Sequence, residues 1–155
     1  EGGYMKMDTT QIKGVDSTKR VTTASLGPRA RLVIREKLMT HGVQMAESDF
    51  TVDLDGEDAG VDLVSRSVAR GQSHQVFRSR INGNTRCTGH SECDAIIMDE
   101  GVVSAIPELT AANIDASLIH EAAIGKIAGE QLVKLMTLGL TEEEAEAKII
   151  EGFLK

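Results

Sequence analysis

Apolar and polar residues alternate along the first two thirds of the chain, in short runs that are separated by glycines. The segment FTVDL at 50–54 shows the pattern: Phe50, Val52 and Leu54 fall on one face, because successive side chains of a strand point to opposite sides. The glycines between such runs recur at similar intervals, as Gly14, Gly27, Gly42, Gly56, Gly71, Gly83 and Gly101. The pattern predicts further strands at 21–25, 31–37, 61–67, 75–81, 95–98 and 102–106.

The regular turn spacing comes without a repeated sequence motif, which is compatible with a β-sandwich, a β-barrel or a β-solenoid. Charged residues inside the predicted strands, such as Asp62 and Arg66, indicate that one face of each strand meets solvent. The other face must then be buried by stacking on neighbouring strands. The pattern therefore predicts a mainly β region and leaves the three architectures open.

The region after Pro107 changes in composition to Ala, Glu, Leu, Ile and Lys, which favours helix. Within it, the segment 115–126 is ambiguous. Ala122 and Ala123 favour a helix, whereas Gly125 and the lack of a clean helical period favour an extended segment. The residues by themselves leave both open.

The C-terminal segment carries the signals of a helical hairpin. A first helix is predicted at 129–138, and Gly139 follows where a left-handed C-terminal cap is common. Thr141 and Glu144 have the spacing of a capping box, with acidic residues at the positive end of the helix dipole. The second helix is predicted at Glu142–Phe153, with an apolar stripe of Ala145, Ile149 and either Ile150 or Phe153.

The composition fits a single domain with a core: of 155 residues, 41% are hydrophobic and 26% are charged. Aromatic residues make up only 3%, so aliphatic side chains must fill that core. No apolar run approaches the roughly 18 residues of a membrane span, and the first ten residues lack the order of a signal peptide. We expect a soluble, cytoplasmic protein. The start at Glu1, without an initiator Met, is compatible with a processed or excised piece of a longer chain.

Charge is distributed unevenly along the chain, whose formal net charge is -7. Residues 1–91 hold 13 basic and 11 acidic side chains, whereas residues 92–155 hold 4 basic and 13 acidic ones. An acidic C-terminal part disfavours nucleic acid through phosphate repulsion and suits a partner with a basic face. A solvated acidic helix face is the simpler interpretation of the same pattern.

The densest set of soft metal ligands is Cys87, His90 and Cys93, in a Cys-x-x-His-x-x-Cys spacing. Thiolate and imidazole together suit zinc or iron-sulfur chemistry. Strand residues three apart point to opposite faces, so these three side chains converge only if the segment turns, as Gly89 would permit. Otherwise they are two partly buried small residues and a surface histidine. We expect free thiols or ligands and no disulfide, because the chain shows no secretion signal.

Other catalytic motifs are excluded by their spacing. His120 and Glu121 resemble the start of a zinc-protease helix, but Ile124 stands where the second histidine would be needed. The chain contains no phosphate-binding glycine loop, and Ser104 lacks the glycines of a nucleophile elbow. A polysaccharide-acting β-solenoid enzyme remains an alternative, as does an inert interaction module. For the enzyme, the candidate acids are Asp53, Asp55, Glu57 and Asp58, which also fit a simple turn.

Several motifs follow one another in the C-terminal half of the chain: GHSECDAIIM at 89–98, SAIPEL at 104–109, HEAAIGKI at 120–127, EQL at 130–132 and GF at 152–153. Together they resemble the C-terminal core of the SufB/SufD family, the scaffold components of the Suf iron-sulfur cluster assembly machinery. The resemblance is dense over 82–155 and diffuse before that. Full family chains are much longer, so this chain is either a reduced member or a fragment.

The resemblance implies a right-handed parallel β-helix core at 1–127 and a C-terminal helical segment at 128–155. For the ambiguous segment 115–126, it favours a strand that leads into the helices. It also implies a dimer with a SufB- or SufD-type partner or a second copy, and docking of SufC, an ATPase of the ABC type, on the helical tail. On that basis the expected partner-binding residues are Glu130, Leu132, Leu135, Thr141, Glu144 and Phe153.

The resemblance also implies a site. The sulfur-accepting cysteine of the family lies in a Cys-Asp-Ser/Ala motif, whose place is taken here by Cys93, followed by Asp94 and Ala95. The His-Glu pair near the forming cluster falls on His120 and Glu121. These three residues are the expected ligands of a transient iron-sulfur cluster. The implied function is that of a scaffold and not of an enzyme, and Cys87 and His90 receive no role.

Overall fold

The computed structural model describes residues 2–12 and 14–155, and in this part of the chain nine strands precede two helices. The strands are β1 (Tyr4–Gln11), β2 (Ser17–Leu26), β3 (Arg31–Thr40), β4 (Met45–Leu54), β5 (Ala59–Ala69), β6 (His74–Gly83), β7 (Cys87–Ile97), β8 (Val102–Ala111) and β9 (Ala116–Gly125). The helices are α1 (Gly129–Met136) and α2 (Glu142–Phe153).

The strands form two parallel sheets that the chain visits in turn. The odd strands make one sheet in the order β1-β3-β5-β7-β9, and the even strands make the other in the order β2-β4-β6-β8. Each coil therefore contributes one strand to each sheet before the chain returns to the first sheet. One such coil runs from Asp62 on β5 to His90 on β7, and these two residues are register partners. This arrangement is a parallel β-solenoid of about four turns, and with the two terminal helices it confirms the expected fold class.

The core lies between the two sheets and is filled by one residue in two from each strand, as the alternating pattern predicts. It is mostly aliphatic, and Phe50 packs on Phe77 with ring centroids 5.8 Å apart. Each large aliphatic side chain buried in this way contributes roughly 1.5–3 kcal/mol. Fully buried members are Ile34, Phe50, Val52, Leu54, Leu63 and Ile81.

The turn between β4 and β5 stacks tightly on the turn of the preceding coil. A Cβ at Gly56 would lie 2.0 Å from the backbone nitrogen of Pro28, so the approach requires glycine. The acids around Gly56 are held by residues one coil further on. Asp53 accepts a hydrogen bond from Asn82, Asp55 from Asn84 and Asp58 from Arg86. Their contacts fit the turn interpretation of this acidic segment.

The predicted strands all lie within observed strands apart from Met98, which follows the end of β7. The observed strands are longer than the predicted ones, most of all β7, which begins at Cys87. β1 was not predicted, and β8 continues through Pro107 to Ala111, although the predicted strand ended at Ile106. β8 is the outermost strand of its sheet, a position at which the missing N–H of proline is tolerated. The ambiguous segment 115–126 is a strand, as expected.

The C-terminal helices follow the predicted signals closely. α1 ends two residues before the predicted position, and Gly139 has the expected positive φ, +97°. The Thr141 hydroxyl accepts a hydrogen bond from the Glu144 backbone N–H at 3.2 Å, and the Glu144 carboxylate accepts one from the Thr141 N–H at 2.8 Å. α2 buries Ala145 and Ile150, the latter in a small apolar cluster with Val68 and Met98 at the side of the solenoid.

The lengths of the two helices bear on the expectation that the chain has no membrane span. Neither α1, with 8 residues, nor α2, with 12, approaches the length and apolar character that a helix needs to cross a bilayer, and no other helix occurs in the described ranges. The division of the chain into two domains, a β core at 1–127 and a helical segment at 128–155, remains a prediction.

Candidate functional site: the two faces of the last coil

Strand β7 carries most of the candidate residues, and it runs straight through them. Cys87 and Cys93 project into the core as free thiols, whereas His90 projects outward. Gly89 lies inside the strand and makes no turn. The Cys-x-x-His-x-x-Cys residues therefore do not converge, because the strand separates the thiols from the imidazole.

The interior beside Cys93 is polar. Register pairs Glu36 of β3 with Ser65 of β5, and Ser65 with Cys93 of β7, so the three form a row across one sheet. The buried Glu36 carboxylate accepts hydrogen bonds from Ser48 at 2.6 Å, from Ser65 at 2.7 Å and from Arg20 at 2.8 Å. Sequence reasoning missed this row, although Glu36 falls on the inward-facing positions of an otherwise apolar alternating strand.

The Cys93 thiol is 1% exposed, and burial, together with the charges of Glu36 and Asp94, raises its pKa to about 12. Burial dominates because a thiolate loses its hydration in the core. The protonated thiol is a poor nucleophile and metal ligand. In this conformation the sulfur is therefore shielded from solvent and protonated.

His120 lies on the same inner face of the sheet as Cys93. Its register partner is Ser91, two residues before Cys93, which places the Cα atoms of His120 and Cys93 about 8 Å apart for ordinary strand spacings. The His120 Nδ1 atom is buried and has no hydrogen-bond partner among the described residues. Burial lowers the pKa of His120, against a hydrogen bond with the Ser91 backbone that raises it. A neutral imidazole with an unpaired nitrogen is a suitable ligand.

Glu121 projects to the outer face of β9, away from Cys93 and His120. It lies directly opposite Glu92 in the register, and its Oε2 is 3.5 Å from the Nε2 of His90. The structure thus brings Cys93 and His120 to one face of the sheet and places Glu121 on the other, although all three belong to the last two strands of this sheet.

The outer face carries a second cluster that sequence reasoning missed, formed by Asp62, His90, Glu92 and Glu121. The His90 Nδ1 is 2.8 Å from Asp62 Oδ1, and the His90 Nε2 is 3.9 Å from Glu92 Oε2. The hydrogen bond to Asp62 is the main cause that raises the pKa of His90. One coil of chain separates Asp62 from His90 and another separates Glu92 from Glu121, so the spacing identifies these pairs only when the length of a coil is known.

The residues expected to bind a partner on the helices divide into two groups. Leu132, Leu135 and Phe153 are half-buried, with Phe153 packed against the Val68 cluster. Exposed are Glu130, Thr141 and Glu144, of which the last two hold each other in the capping box.

The raised pKa of Cys93 predicts a loss of stability at alkaline pH. The folded state retains the proton up to about pH 12, whereas the unfolded thiol loses it near its ordinary pKa of 9.0. Since the unfolded state then binds fewer protons, the free energy of unfolding falls by up to about 1.4 kcal/mol per pH unit above pH 9. Urea titrations of wild type and Cys93→Ser at pH 8, 9 and 10 measure the effect. We expect the wild type to lose stability faster with pH than the variant, and parallel losses would contradict a buried, protonated thiol.

Comparisons with known proteins identify the family to which this chain belongs. The family model described as the SufBD core domain of the SUF system for FeS cluster assembly matches residues 1–153. The chain therefore belongs to the SufBD family of iron-sulfur cluster assembly proteins, which confirms the resemblance seen in the sequence.

Three curated relatives, each called an iron-sulfur cluster assembly SufBD family protein, are similar to this chain. The relative from Methanothermobacter thermautotrophicus strain Delta H is 32% identical over 148 residues, covering 94% of this chain and 36% of its own length. The relative from Archaeoglobus fulgidus is 31% identical over 157 residues, covering 100% and 42%. One from Pyrococcus horikoshii is 34% identical over 150 residues, covering 86% and 34%. The chain thus spans about a third to two fifths of the length of these relatives.

Proposed function

We propose that this chain is a scaffold component for nascent iron-sulfur clusters and not an enzyme by itself. Cys93 takes up sulfur or ligates iron, and His120 and Glu121 supply the remaining protein ligands. The proposal rests on two side chains of the last coil that face the interior, Cys93 and His120. A buried thiol and a half-buried imidazole, whose buried Nδ1 has no hydrogen-bond partner among the described residues, share one face in a chain of a cluster assembly family.

Assembly requires a change at the edge of the solenoid, because Cys93 is buried and Glu121 points outward. β9 is the outermost strand of its sheet and is hydrogen-bonded to β7. Release of this strand would uncover the Cys93 thiol, and a local twist of the released strand would let Glu121, which lies on the face opposite His120, turn towards it. Opening also restores hydration to the thiol, which lowers its pKa towards the ordinary value and makes the thiolate available.

We propose that the same coil pairs with a second subunit, either a SufB- or SufD-type partner or another copy of this chain. β8 and β9 end the two sheets and expose apolar side chains that a partner would cover. These side chains are Ile106, Leu109, Ile119 and Ile124, between 37% and 52% exposed. Pairing there would place the site of each subunit near a two-fold seam.

The helical segment is the proposed dock for an ABC-type ATPase resembling SufC. α1 presents apolar side chains to solvent at Val133 and Met136, and Leu138 follows it. These exposed residues extend the surface formed by the expected partner-binding residues of α1. Nucleotide-driven pairing of the ATPases would then pull on the helices and strain the last coil to which they are joined.

The docking proposal predicts that Val133→Asp abolishes co-elution of this chain with its ATPase in size-exclusion chromatography. A carboxylate in a desolvated apolar contact is strongly unfavourable, so we expect at least about a tenfold loss of affinity. Val43→Asp is the matched control, because Val43 is an exposed valine in a turn of the solenoid. Retained co-elution of the Val133 variant would show that a different surface was bound.

The scaffold role is tested by anaerobic reconstitution of the purified chain with ferrous iron and sulfide. Charge-transfer absorbance that elutes with the protein supports a cluster held by thiolate. A colourless protein after reconstitution would contradict the role and favour an inert interaction module.

A further inference from the structure

The outer face of the last two odd strands gathers three side chains around one point. His90 and Glu92 lie two residues apart on β7, so both project outward, and register places Glu121 of β9 opposite Glu92. Neighbouring strands lie about 4.8 Å apart, which brings the side chains within reach of each other. One ligand atom from each of the three, the His90 Nε2 and a carboxylate oxygen of Glu92 and of Glu121, lies within 4.8 Å of the other two.

The imidazole of His90 is oriented by a residue on the strand behind it. Asp62 of β5 accepts a hydrogen bond from His90 Nδ1 at 2.8 Å, and Arg35 forms an ion pair with the same carboxylate. With Nδ1 as the donor, the lone pair of the neutral ring lies on Nε2, the atom that faces Glu92 and Glu121. A carboxylate behind a histidine ligand is the usual arrangement that fixes its tautomer and its direction in metal sites.

The cluster also carries an excess of negative charge. Asp94, two residues beyond Glu92 on β7, projects to the same outer face and adds a further carboxylate. Two carboxylates and a ring lone pair that face one another repel unless a proton or a metal ion lies between them.

We propose that His90, Glu92 and Glu121 bind a divalent first-row transition cation of the Mn²⁺ and Fe²⁺ class. Imidazole and carboxylates are the donors that such ions prefer, and water completes the coordination. Ligand atoms that share a cation at about 2.1 Å lie roughly 3 to 3.4 Å apart. The observed separations of 3.5 Å and 3.9 Å from Nε2 therefore need only small side-chain movements.

The site is open to solvent and lies on the face of the sheet opposite the thiol, and it shares Glu121 with the proposed cluster ligands. A surface groove of about 570 Å³ reaches His90 and Glu92, and the Glu121 side chain is 66% exposed, so an ion has a path of entry. Cys93 lies on the other face of β7. Cation binding at this site does not rest on the proposed scaffold function, because it is measured without sulfide.

Mn²⁺ is the probe for this site, because it prefers nitrogen and oxygen ligands over thiolate. Titration followed by electron paramagnetic resonance of free Mn²⁺ gives the affinity and stoichiometry, and we expect one saturable ion per chain. Glu92→Gln and Glu121→Gln, which keep size and fold, should each weaken binding at least about tenfold. Electron spin echo modulation of bound Mn²⁺ should show coupling to ¹⁴N that His90→Gln removes.

Two controls decide the outcome. Glu108→Gln changes an exposed glutamate that pairs with Arg80 on the other sheet, and Cys93→Ser changes the thiol, so both should leave Mn²⁺ affinity unchanged. The proposal is overturned if wild type shows no saturable binding, or if the Glu92 and Glu121 variants bind as well as the Glu108 variant. Loss of Mn²⁺ binding in Cys93→Ser would also overturn it, since the ion would then belong to the inner site. Failure of cluster reconstitution with intact Mn²⁺ binding would count against the scaffold function alone.

Discussion

Replacement of Cys93 by serine is expected to abolish the iron-sulfur absorbance that anaerobic reconstitution gives to this chain. A hydroxyl cannot replace thiolate as a bridging or terminal ligand of iron in a sulfide cluster, so the loss should be at least about tenfold per chain. Cys93 faces the same side of the sheet as His120, and β9, which carries His120, is the outermost strand of that sheet.

Cys87→Ser is the matched control. Cys87 lies on the same strand, faces the same core and is equally buried, at 3% exposure against 1% for Cys93. If the loss came from damage to the core, both variants would show it. We expect Cys87→Ser to retain the absorbance, and equal losses in the two variants, or full absorbance in Cys93→Ser, would remove Cys93 from the site.

The second large effect is expected from Arg20→Ala. The guanidinium of Arg20 lies 2.8 Å from the carboxylate of Glu36, which is buried in the interior row that ends at Cys93. Removal of the only cation that contacts Glu36 within the described residues leaves a buried charge held by two serine hydroxyls. A loss of about 3 kcal/mol in the free energy of unfolding is expected, and urea titration measures it.

Arg78→Ala controls for the loss of an arginine, because Arg78 pairs with Glu47 at the surface, where water screens the ion pair. We expect Arg78→Ala to lower the free energy of unfolding much less than Arg20→Ala does. The double change of Arg20 to Met and Glu36 to Leu removes both charges and should recover much of the lost stability. If Arg20→Ala lowers the free energy of unfolding no more than Arg78→Ala does, the ion pair of Arg20 and Glu36 does not stabilise the buried carboxylate.

The relation between Glu36 and Cys93 connects stability with the proposed function. The same burial and negative charge that hold the thiol protonated would protect it from oxidation and stray metals while the solenoid is closed. A scaffold that opens only when a partner acts would thereby restrict sulfur chemistry to the time of assembly. The interior row is then a part of the site, although it contacts no expected cluster ligand other than Cys93.

The local features of the fold were predictable because they depend on neighbours in sequence. Alternation placed Phe50, Val52 and Leu54 on one buried face, and the capping box at Thr141 and Glu144 formed with both of its hydrogen bonds. Strand β9 was ambiguous from its residues alone. The resemblance to a known family, and not periodicity, selected a strand there and a solenoid over a sandwich or barrel.

The side-chain contacts that were not predicted depend on the length of a coil. The recurring glycines marked successive turns, but a coil contains two of these turns, and nothing in the glycine spacing shows which turns stack on each other. Without the period of the coil, nothing in the sequence places His90 beside Asp62 or Glu92 beside Glu121. The continuation of β8 through Pro107 was missed for a related reason, because tolerance of proline depends on the strand being at an edge.

The sequence by itself determined which residues are apolar on one face, where the helices begin and that the C-terminal part of the chain carries the acidic charge and the family motifs. Tertiary structure decided which side chains meet. In a parallel solenoid, one residue more or less in a coil shifts the register and moves a side chain to the other face of the sheet. That geometry separates Cys93 and His120 from Glu121, and it creates the outer cluster around His90 from residues that the chain keeps a full coil apart.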